Sequence, residues 1–414
     1  MISEPATKSE SLRALKWLNF FVADVQTGLG PLIAAYLASN GWSPARLGVF
    51  LTLGGLIPIA LQIPAGGLVD GMRSKRGFAA LAIVLVAAGA LLLSRSAALP
   101  TVASAQVCLA VAGLFLAPIL NAITLGITGP DGFDLQLGRN QSFAAAGNVA
   151  AALVAAGLSY KMGMRSVFLL SAVLSVPTLA CLSRIRAADI DPGLASGAAP
   201  EDSEKRAGVF RVLLEDRVLL IFLVCAALFH LANAAMLPQL GEMLAHGQSR
   251  MAGPMMSTCV LVTQLVITFT AASTGRLAGR VGRRPLLLAG FGVLVIRGAL
   301  YTVVHGNAAL IAVQLLDGVA NVIFGVVSAL VVADRTRGTG RFNLVQGALA
   351  TFVGIGAALS TTYGGLLIKR FGYNASFLGL AGVGLVAFLT LLVFFPETLE
   401  TPPELRLNEG EAAA

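Results

Sequence analysis

Three ionisable side chains, Asp24, His230 and Asp317, each lie inside a long apolar stretch of the sequence. A buried carboxyl is easier to protonate than an exposed one, and histidine titrates near neutral pH, so each group could bind and release a proton. A polar group inside hydrocarbon is costly unless it has a partner, water or a role. We therefore consider these three residues as candidates for proton coupling.

Two of these residues also have a structural interpretation. Asp24 lies near one end of its apolar stretch, where it could be solvated or paired with Arg13 or Lys16. His230 lies near the middle of its stretch, and a single histidine on an apolar helix is often a packed, hydrogen-bonded residue. The sequence alone leaves both interpretations open.

Arg297 and Asp317 lie eight to nine residues from the same end of two neighbouring apolar stretches. Matching depth on adjacent antiparallel helices predicts a buried ion pair, because an unpaired charge at that depth would be strongly unfavourable. The pair is either a static clamp or a moving part that opens when substrate or a proton competes for Asp317.

Polar side chains inside the apolar stretches are also candidates for contact with a solute. His230 and Asn233 are three residues apart and Asp317 and Asn321 are four apart, so each pair shares one helix face. The candidate substrate-binding residues are Gln26, Asn121, His230, Asn233, Arg297, Asp317 and Asn321.

The composition is that of a membrane protein. The 414 residues are 56% hydrophobic and 12% charged, against about 25% charged in soluble domains, and the mean hydropathy is +0.82. The apolar stretches are continuous and long enough to be membrane helices, and they do not alternate as barrel strands do. We predict twelve spans at 17–38, 47–69, 77–95, 101–125, 142–160, 166–183, 218–240, 254–274, 285–304, 308–333, 343–367 and 374–395.

The distribution of the 29 Lys and Arg residues predicts the orientation. With the N-terminus in the cytoplasm, 21 of them fall on the inside, 7 fall outside and Arg297 lies within a span. This bias explains the basic charge as topology and attraction to anionic lipid head groups, and no concentrated basic face suggests nucleic acid. We expect a multi-pass protein of the bacterial inner membrane with both termini in the cytoplasm.

Two short cationic loops recur half a chain apart. The first, Gly66–Arg76, reads GGLVDGMRSKR, and the second, Gly275–Arg284, reads GRLAGRVGRR. Their starts are separated by 209 residues, and other matching positions share that offset, as Gly163 and Gly372 do. A glycine-led, cationic hairpin that recurs in this way indicates a duplicated membrane protein.

The two loops resemble the loop between the second and third helices of the major facilitator superfamily, G-x-L-x-D-(R/K)-x-G-(R/K)-(R/K). The first copy keeps the Gly, the Leu, Asp70 and the cationic cluster, whereas the second has Gly279 in place of the aspartate. The resemblance implies an all-α membrane fold of twelve helices in two pseudo-symmetric six-helix bundles. It also implies a binding cavity between the bundles and alternation between inward-open and outward-open states.

The resemblance further implies an inner gate. In the family the aspartate of the first loop meets the N-terminal end of span eleven and a nearby arginine. Gly279 cannot make this contact, so we predict an asymmetric gate with one strong latch. The remaining cationic residues are either gate residues or only topology markers. The candidate gating residues are Asp70, Arg73, Lys75, Arg76, Arg139, Arg280, Arg283, Arg284 and Arg341.

The predicted domains follow from these features. They are a cytoplasmic N-terminal segment (1–16), a six-helix bundle (17–183), a cytoplasmic linker (184–217), a second six-helix bundle (218–395) and a cytoplasmic tail (396–414). The composition of the linker cannot bury a core. The expected partners are a small-molecule substrate, protons and membrane lipid, with no nucleic acid, and the expected state is a monomer.

The leading functional hypothesis is a secondary transporter of a small organic solute, coupled to protons and directed to export. One alternative is proton-coupled uptake of an organic acid, with Arg297 and His230 as cationic contacts. Another is a membrane sensor that keeps the fold without flux. The sequence has no nucleotide loop, metal-ligand cluster or nucleophile triad, so we expect no enzyme activity, cofactor or metal.

Overall fold

The structure is a computed structural model that describes residues 6–27, 33, 36–37, 39–72, 74–163, 165–198, 215–247 and 249–399. Its helices are α1 (Ala6–Thr27), α2 (Pro44–Gly71), α3 (Lys75–Arg95), α4 (Leu99–Met162), α5 (Arg165–Arg184), α6 (Arg217–Asn233), α7 (Met236–Gly247), α8 (Ser249–Val281), α9 (Arg283–Val303), α10 (Asn307–Thr336) and α11 (Phe342–Phe394).

The described residues form helices, short turns and isolated bridges at Ala198, and they contain no β-strand. Eight helical segments among them are long and apolar enough to cross a membrane. The expected all-α membrane protein is therefore confirmed. The helices form because the apolar stretches, without water around them, must satisfy their backbone groups internally.

Two of the helices are bent back on themselves at a glycine with positive φ. α4 turns at Gly129 (φ 68°) into arms 99–128 and 130–162, and α11 turns at Gly372 (φ 84°) into arms 342–371 and 373–394. The equivalent positions at the 209-residue offset, Gly338 and Gly163, also have positive φ (77° and 79°). The same left-handed turns therefore recur in both halves of the chain, where glycine is the residue that adopts them without steric cost.

Helices of the two halves cross at paired glycines. α2 packs against the first arm of α11, where a methyl group on Gly66 would collide with the Asn343 carbonyl and one on Gly347 with the Gln62 carbonyl. The second arm of α4 packs against α8 at Gly138 and Gly275 in the same way. Gly66 corresponds to Gly275, and Gly138 to Gly347, at the same offset of 209. Backbones approach this closely only where no side chain intervenes.

The apolar core is divided in the same manner. One buried cluster is built from residues of α1 to α5 with Ile185 and Ala195, and a larger one is built mainly from residues between Leu219 and Phe395. Each half therefore has its own packed interior.

Two of the non-membrane segments are more packed than their composition suggests. Residues 185–198 of the predicted linker are packed: they contain 3₁₀ turns at Ala187–Asp189 and Leu194–Ser196, and Ala195 is fully buried. Small residues allow this, because they fit between helix ends where larger side chains would not. Similarly, Thr398 of the predicted free tail is buried against the end of α10.

Predicted span seven (218–240) is interrupted. α6 ends at Asn233, and α7 begins at Met236 after a two-residue turn. The backbone amide of Ala235 donates to Ser360 Oγ at 2.9 Å. A side chain of α11 thus satisfies an amide at the break, which is how irregular backbone is tolerated at membrane depth.

Candidate central cavity and cytoplasmic gate

A cavity of about 170 Å³ lies where the second arm of α4 meets α8 and α10. Its polar lining consists of four amide side chains, Gln141, Asn148, Gln264 and Asn321. Asn148 Nδ2 donates to Gln264 Oε1 at 3.4 Å, so an amide of the first half meets an amide of the second. The remaining lining residues are apolar: Ala144, Ala145, Ile267, Val322 and Val326.

Asp317 lies behind this cavity in a hydrogen-bonded network. Its Oδ2 accepts from Thr263 Oγ1 at 2.9 Å and Gln314 Nε2 at 3.0 Å, and its Oδ1 accepts from Asn321 Nδ2 at 2.9 Å. Asp317 also forms an ion pair with Arg297, as the sequence predicts. The carboxylate is therefore surrounded by donors, which is the usual condition for a buried charge.

Arg297 is fully buried and pairs with Asp317 from α9. Its guanidinium also lies 5.8 Å from the centre of the Tyr301 ring, and the Tyr301 hydroxyl donates to Gln314 Oε1 at 2.6 Å. The two ionised groups of this network thus neutralise each other away from the cavity wall.

Asn321 joins the ionic network to the cavity. It lines the cavity, donates to Asp317, and accepts from Asn233 Nδ2 at 3.3 Å. Asn233 is the last residue of α6, immediately before the interruption of span seven. A change at Asp317 can therefore affect both the cavity wall and the end of α6, because Asn321 contacts Asp317, the cavity and Asn233.

Other predicted binding residues do not converge on the cavity. His230 Nδ1 lies 3.2 Å from the carbonyl oxygen of Ala226 on its own helix, and its ring centre lies 4.7 Å from that of Phe324. Asn121 is half-buried in α4 and is not among the lining residues. Asp24 and Gln26 lie in α1, but their side chains fall outside the described residues.

The first gate cluster joins α2 to α11. Asp70 is buried, and its two carboxylate oxygens accept from the backbone amides of Asn343 and Leu344, both at 2.9 Å. Asn343 Nδ2 donates to Asp70 as well, at 2.8 Å. A carboxylate at a helix N-terminus satisfies unpaired amides and favours the positive end of the helix dipole. This is the contact with span eleven that the resemblance implies.

A second gate cluster corrects the prediction of a single strong latch. Arg283 is buried and pairs with Asp134 at 2.8 Å and Asp334 at 2.9 Å. Asp134 belongs to the first half and lies opposite Gly279. Asp134 corresponds to Asn343, and Gly279 to Asp70, at the 209-residue offset. The carboxylate that the second loop lacks is therefore present on the helix that faces this loop.

The start of the tail completes this second cluster. Glu397 accepts from the backbone amides of Arg283 at 2.8 Å and Arg284 at 3.0 Å, which caps the N-terminus of α9. Thr398 Oγ1 donates to Asp334 at 3.0 Å. The Pro396-Glu397-Thr398 sequence therefore holds α9, α10 and the chain end together.

The remaining candidate gate residues lie around these clusters. Lys75 is buried and donates to the carbonyl oxygen of Met72 at 3.3 Å. Arg76 and Arg284 donate to backbone carbonyls at the ends of α5 and α11, respectively. Arg341 is half-buried.

Two other cations lie at the surface. Arg280 and Arg139 are exposed. Burial, with Arg139 and Arg13 nearby, lowers the pKa of the Lys16 ammonium at the start of span one. Arg73 falls outside the described residues.

Sequence reasoning missed Gln141, Asn148, Gln264, Asp134 and Asp334. The three amides are polar residues inside or beside apolar stretches, the same signal that identified Asn121 and Asn321. Asp134 lies in a predicted loop and Asp334 at a predicted span end, where an exposed charge is expected. Only contact with Arg283, 149 and 51 residues away, distinguishes these two acids.

Comparison with known proteins agrees with the resemblance found in the sequence. A family model described as Major Facilitator Superfamily matches residues 17–276 and 251–413. An uncharacterised MFS-type transporter of Mycobacterium tuberculosis, in strains CDC 1551 / Oshkosh and H37Rv, is 40% identical over 397 residues, which is 95% of each chain.

Solved structures resemble this chain along most of its length. The human organic anion transporter TETRAN matches with a TM-score of 0.65 and 17% identity, covering 94% of this chain and 100% of its own. The E. coli fucose:proton symporter matches with a TM-score of 0.72 and 15% identity, covering 92% and 97%. Identities this low establish likeness of fold alone.

Proposed function

Because the chain belongs to the Major Facilitator Superfamily, we propose that it moves a small organic solute across the membrane by alternating access. In this proposal twelve spans form two six-helix bundles that rock about the central cavity. The repeat of turns and interface glycines at a constant offset supports two equivalent bundles. Twelve spans follow when each bent helix, α4 and α11, counts as two and when α6 and α7 together count as one.

The observation that carries this proposal is the cavity between the halves, together with the two gate clusters that join them. Asp70 holds the start of α11, and Arg283 holds Asp134 on the second arm of α4. Both clusters link one half of the chain to the other. A solute could reach the cytoplasm from the cavity only after both clusters separate, which is the behaviour alternating access requires.

We assign proton coupling to Asp317. Protonation would remove its charge, weaken the ion pair with Arg297 and change the hydrogen bond from Asn321. Since Asn321 lines the cavity, proton binding and solute binding would compete for one side chain. This gives the two ligands a direct physical coupling. His230 contacts its own helix, and we give it no part in this step.

The cellular setting follows from the charge distribution. We propose that both gate clusters and both termini lie on the cytoplasmic side of a bacterial inner membrane, and the excess of Lys and Arg in the loops of that side supports this orientation. We propose that one chain suffices for transport, since the cavity is lined by residues of a single chain.

The test is purified protein in lipid vesicles that enclose a fluorescent pH indicator. A gradient of a transported solute, chosen from polyols, monosaccharides, carboxylates and amphipathic amines, should change the internal pH. The sign of the change distinguishes antiport from symport, and export by antiport is the direction the sequence suggests. Asp317→Asn should abolish the pH change while solute exchange continues.

Asp24→Asn provides the matched comparison in the same vesicles. If Asp24→Asn rather than Asp317→Asn uncouples the proton, the assignment moves to Asp24. If no solute crosses in either direction while the protein remains folded, the sensor interpretation replaces transport.

A further inference from the structure

The polar part of the central cavity consists entirely of amides. Among its described lining residues none is ionisable, and Gln141, Asn148, Gln264 and Asn321 come from both halves of the chain. Each amide offers a carbonyl acceptor and an NH₂ donor in one plane. Such a lining matches groups that donate and accept at once.

The ionised side chains that the structure describes behind the cavity neutralise each other. Arg297 is fully buried and Asp317 is 6% exposed, and they pair with each other. Asn321 lies between this pair and the cavity. An ionic solute would therefore lose its hydration without gaining a counter-charge, which is strongly unfavourable.

The contact across the cavity is suited to replacement by a hydroxylated solute. The bond from Asn148 to Gln264 joins the two halves at 3.4 Å, and it must break when the halves move apart. Hydroxyl groups of a solute can both donate and accept, so they can bridge the two amides once these separate.

We infer that the transported solute is a small, uncharged, polyhydroxylated molecule of the polyol or monosaccharide class. This inference rests on the proposed transport function.

Solute counterflow in vesicles without a pH gradient tests this inference. Polyols and monosaccharides should exchange, and carboxylates and quaternary amines of similar size should not. Gln264→Met, which keeps the length but removes the amide, should weaken apparent affinity about tenfold or more. Gln106→Met is the matched control, because Gln106 lies on the first arm of α4 and does not line the cavity.

The outcomes separate this inference from the transport proposal. Exchange of a carboxylate or an amine, undiminished in Gln264→Met, would overturn the solute class and leave transport intact. Absence of exchange for every class, with correctly folded protein, would overturn transport itself.

A second, independent set of contacts concerns residues 187–198, which we call the strap. On one side the strap binds the first half: Ser11 Oγ donates to Asp189 at 2.6 Å, and the amide of Asp191 donates to the Gly126 carbonyl at 3.0 Å. A methyl group on Gly126 would crowd the strap.

The other side of the strap binds the second half. Asn343 Nδ2 donates to the Ala195 carbonyl at 3.1 Å, and the amide of Gly340 donates to the Gly197 carbonyl at 3.3 Å. Asn343 is also the residue that Asp70 holds. The strap therefore crosses from one half to the other at the first gate cluster.

We also propose that the strap is a conformational lock, which must leave the second half before the cytoplasmic side opens. Ala198 forms an isolated bridge with Gly338 and Thr339, so cysteines at 198 and 339 lie within reach of a disulfide. Oxidised Ala198→Cys/Thr339→Cys protein should lose at least tenfold of its exchange rate, and reduction should restore it.

Each single cysteine variant, treated with the same oxidant, controls for the four native cysteines. If the doubly substituted protein is fully cross-linked and still exchanges solute as fast as the same protein with its disulfide reduced, the strap does not need to release and the proposal is wrong.

Discussion

At the scale of single residues, two buried arginines show different ways of carrying charge. Arg283 pairs with two carboxylates, Asp134 of the first half and Asp334 of the second, so it joins both halves of the chain. Arg297 has one carboxylate partner, and Asp317 has three further hydrogen-bond donors. Loss of Asp317 therefore leaves Arg297 without a carboxylate partner, whereas loss of Arg297 leaves Asp317 with three hydrogen-bond donors.

The first prediction concerns this pair. Asp317→Leu leaves a buried guanidinium without its carboxylate partner, and the loss of one partner of a buried pair costs about 3–5 kcal/mol. Removal of both charges in Asp317→Leu/Arg297→Met should recover much of that stability. Thermal unfolding of the purified variants measures it, and a double variant less stable than Asp317→Leu would contradict this account.

Exchanging the two residues, in Asp317→Arg/Arg297→Asp, would reverse the positions of the two charges. An arginine at position 317 would face Thr263, Gln314 and Asn321, which now donate to a carboxylate. We expect the exchanged variant to restore the ion pair only in part, because these donors would lose their acceptor.

The second prediction concerns Asp70. Asp70→Asn retains one acceptor oxygen but directs an NH₂ group at amides that are themselves donors. A lost cap costs about 1–2 kcal/mol, which should raise opening of the cytoplasmic side about tenfold. Labelling of Ala195→Cys, fully buried in this structure, measures the opening from the cytoplasmic side.

Two controls accompany that measurement. Protein that retains alanine at 195 gives the background from native cysteines, and Asp70→Glu tests whether a carboxylate alone suffices. Unchanged labelling of Ala195→Cys in the Asp70→Asn background would show that this contact does not hold the gate.

At the scale of helices, the crossings between halves depend on glycines that let backbones touch. The first arm of α11 illustrates this, because two of its glycines, Gly347 and Gly365, have opposite surroundings. Gly347 faces the carbonyl of Gln62 in α2, whereas a methyl group on Gly365 would meet nothing within 4 Å. Gly347 therefore tests the crossing, and Gly365 is a control position on the same helix.

The third prediction uses these two positions. Both Gly→Ala changes favour an isolated helix by about 1 kcal/mol, so only the crossing distinguishes them. Gly365→Ala should keep transport and equal or exceed the native unfolding temperature. Gly347→Ala should impair closure and slow exchange several-fold, as measured by counterflow, and equal rates in the two variants would show that the crossing tolerates separation.

At the scale of the whole molecule, the chain end belongs to the gate. Glu397 and Thr398 bind α9 and α10, although the apolar part of the last helix ends before them. Glu397 and Thr398 therefore belong with the packed helices rather than with the tail.

The fourth prediction follows from these contacts. Deletion of 400–414 is the control, because it retains Glu397 and Thr398. Deletion of 396–414 should lower stability by about 1–2 kcal/mol, because it removes the cap of α9 and a hydrogen bond to Asp334. Unfolding and counterflow of the two truncated proteins measure the difference, and equal stability would refute the capping role.

The sequence by itself determined the class of the protein. Apolar length, cationic loops and the 209-residue repeat are properties of neighbouring residues or of a constant offset, so they can be read without coordinates. The Arg297–Asp317 pair was also accessible, because equal depth on adjacent spans is a local count.

Only the tertiary structure decided which side chains meet. Asp134 and Arg283 are 149 residues apart, and the cavity amides come from three separate helices. The sequence carries no period or spacing that links such positions, since their proximity depends on how the helices rotate and cross. For the same reason the packing of the strap was not predicted: its small residues lack a core of their own, and the strap contacts helices of both halves.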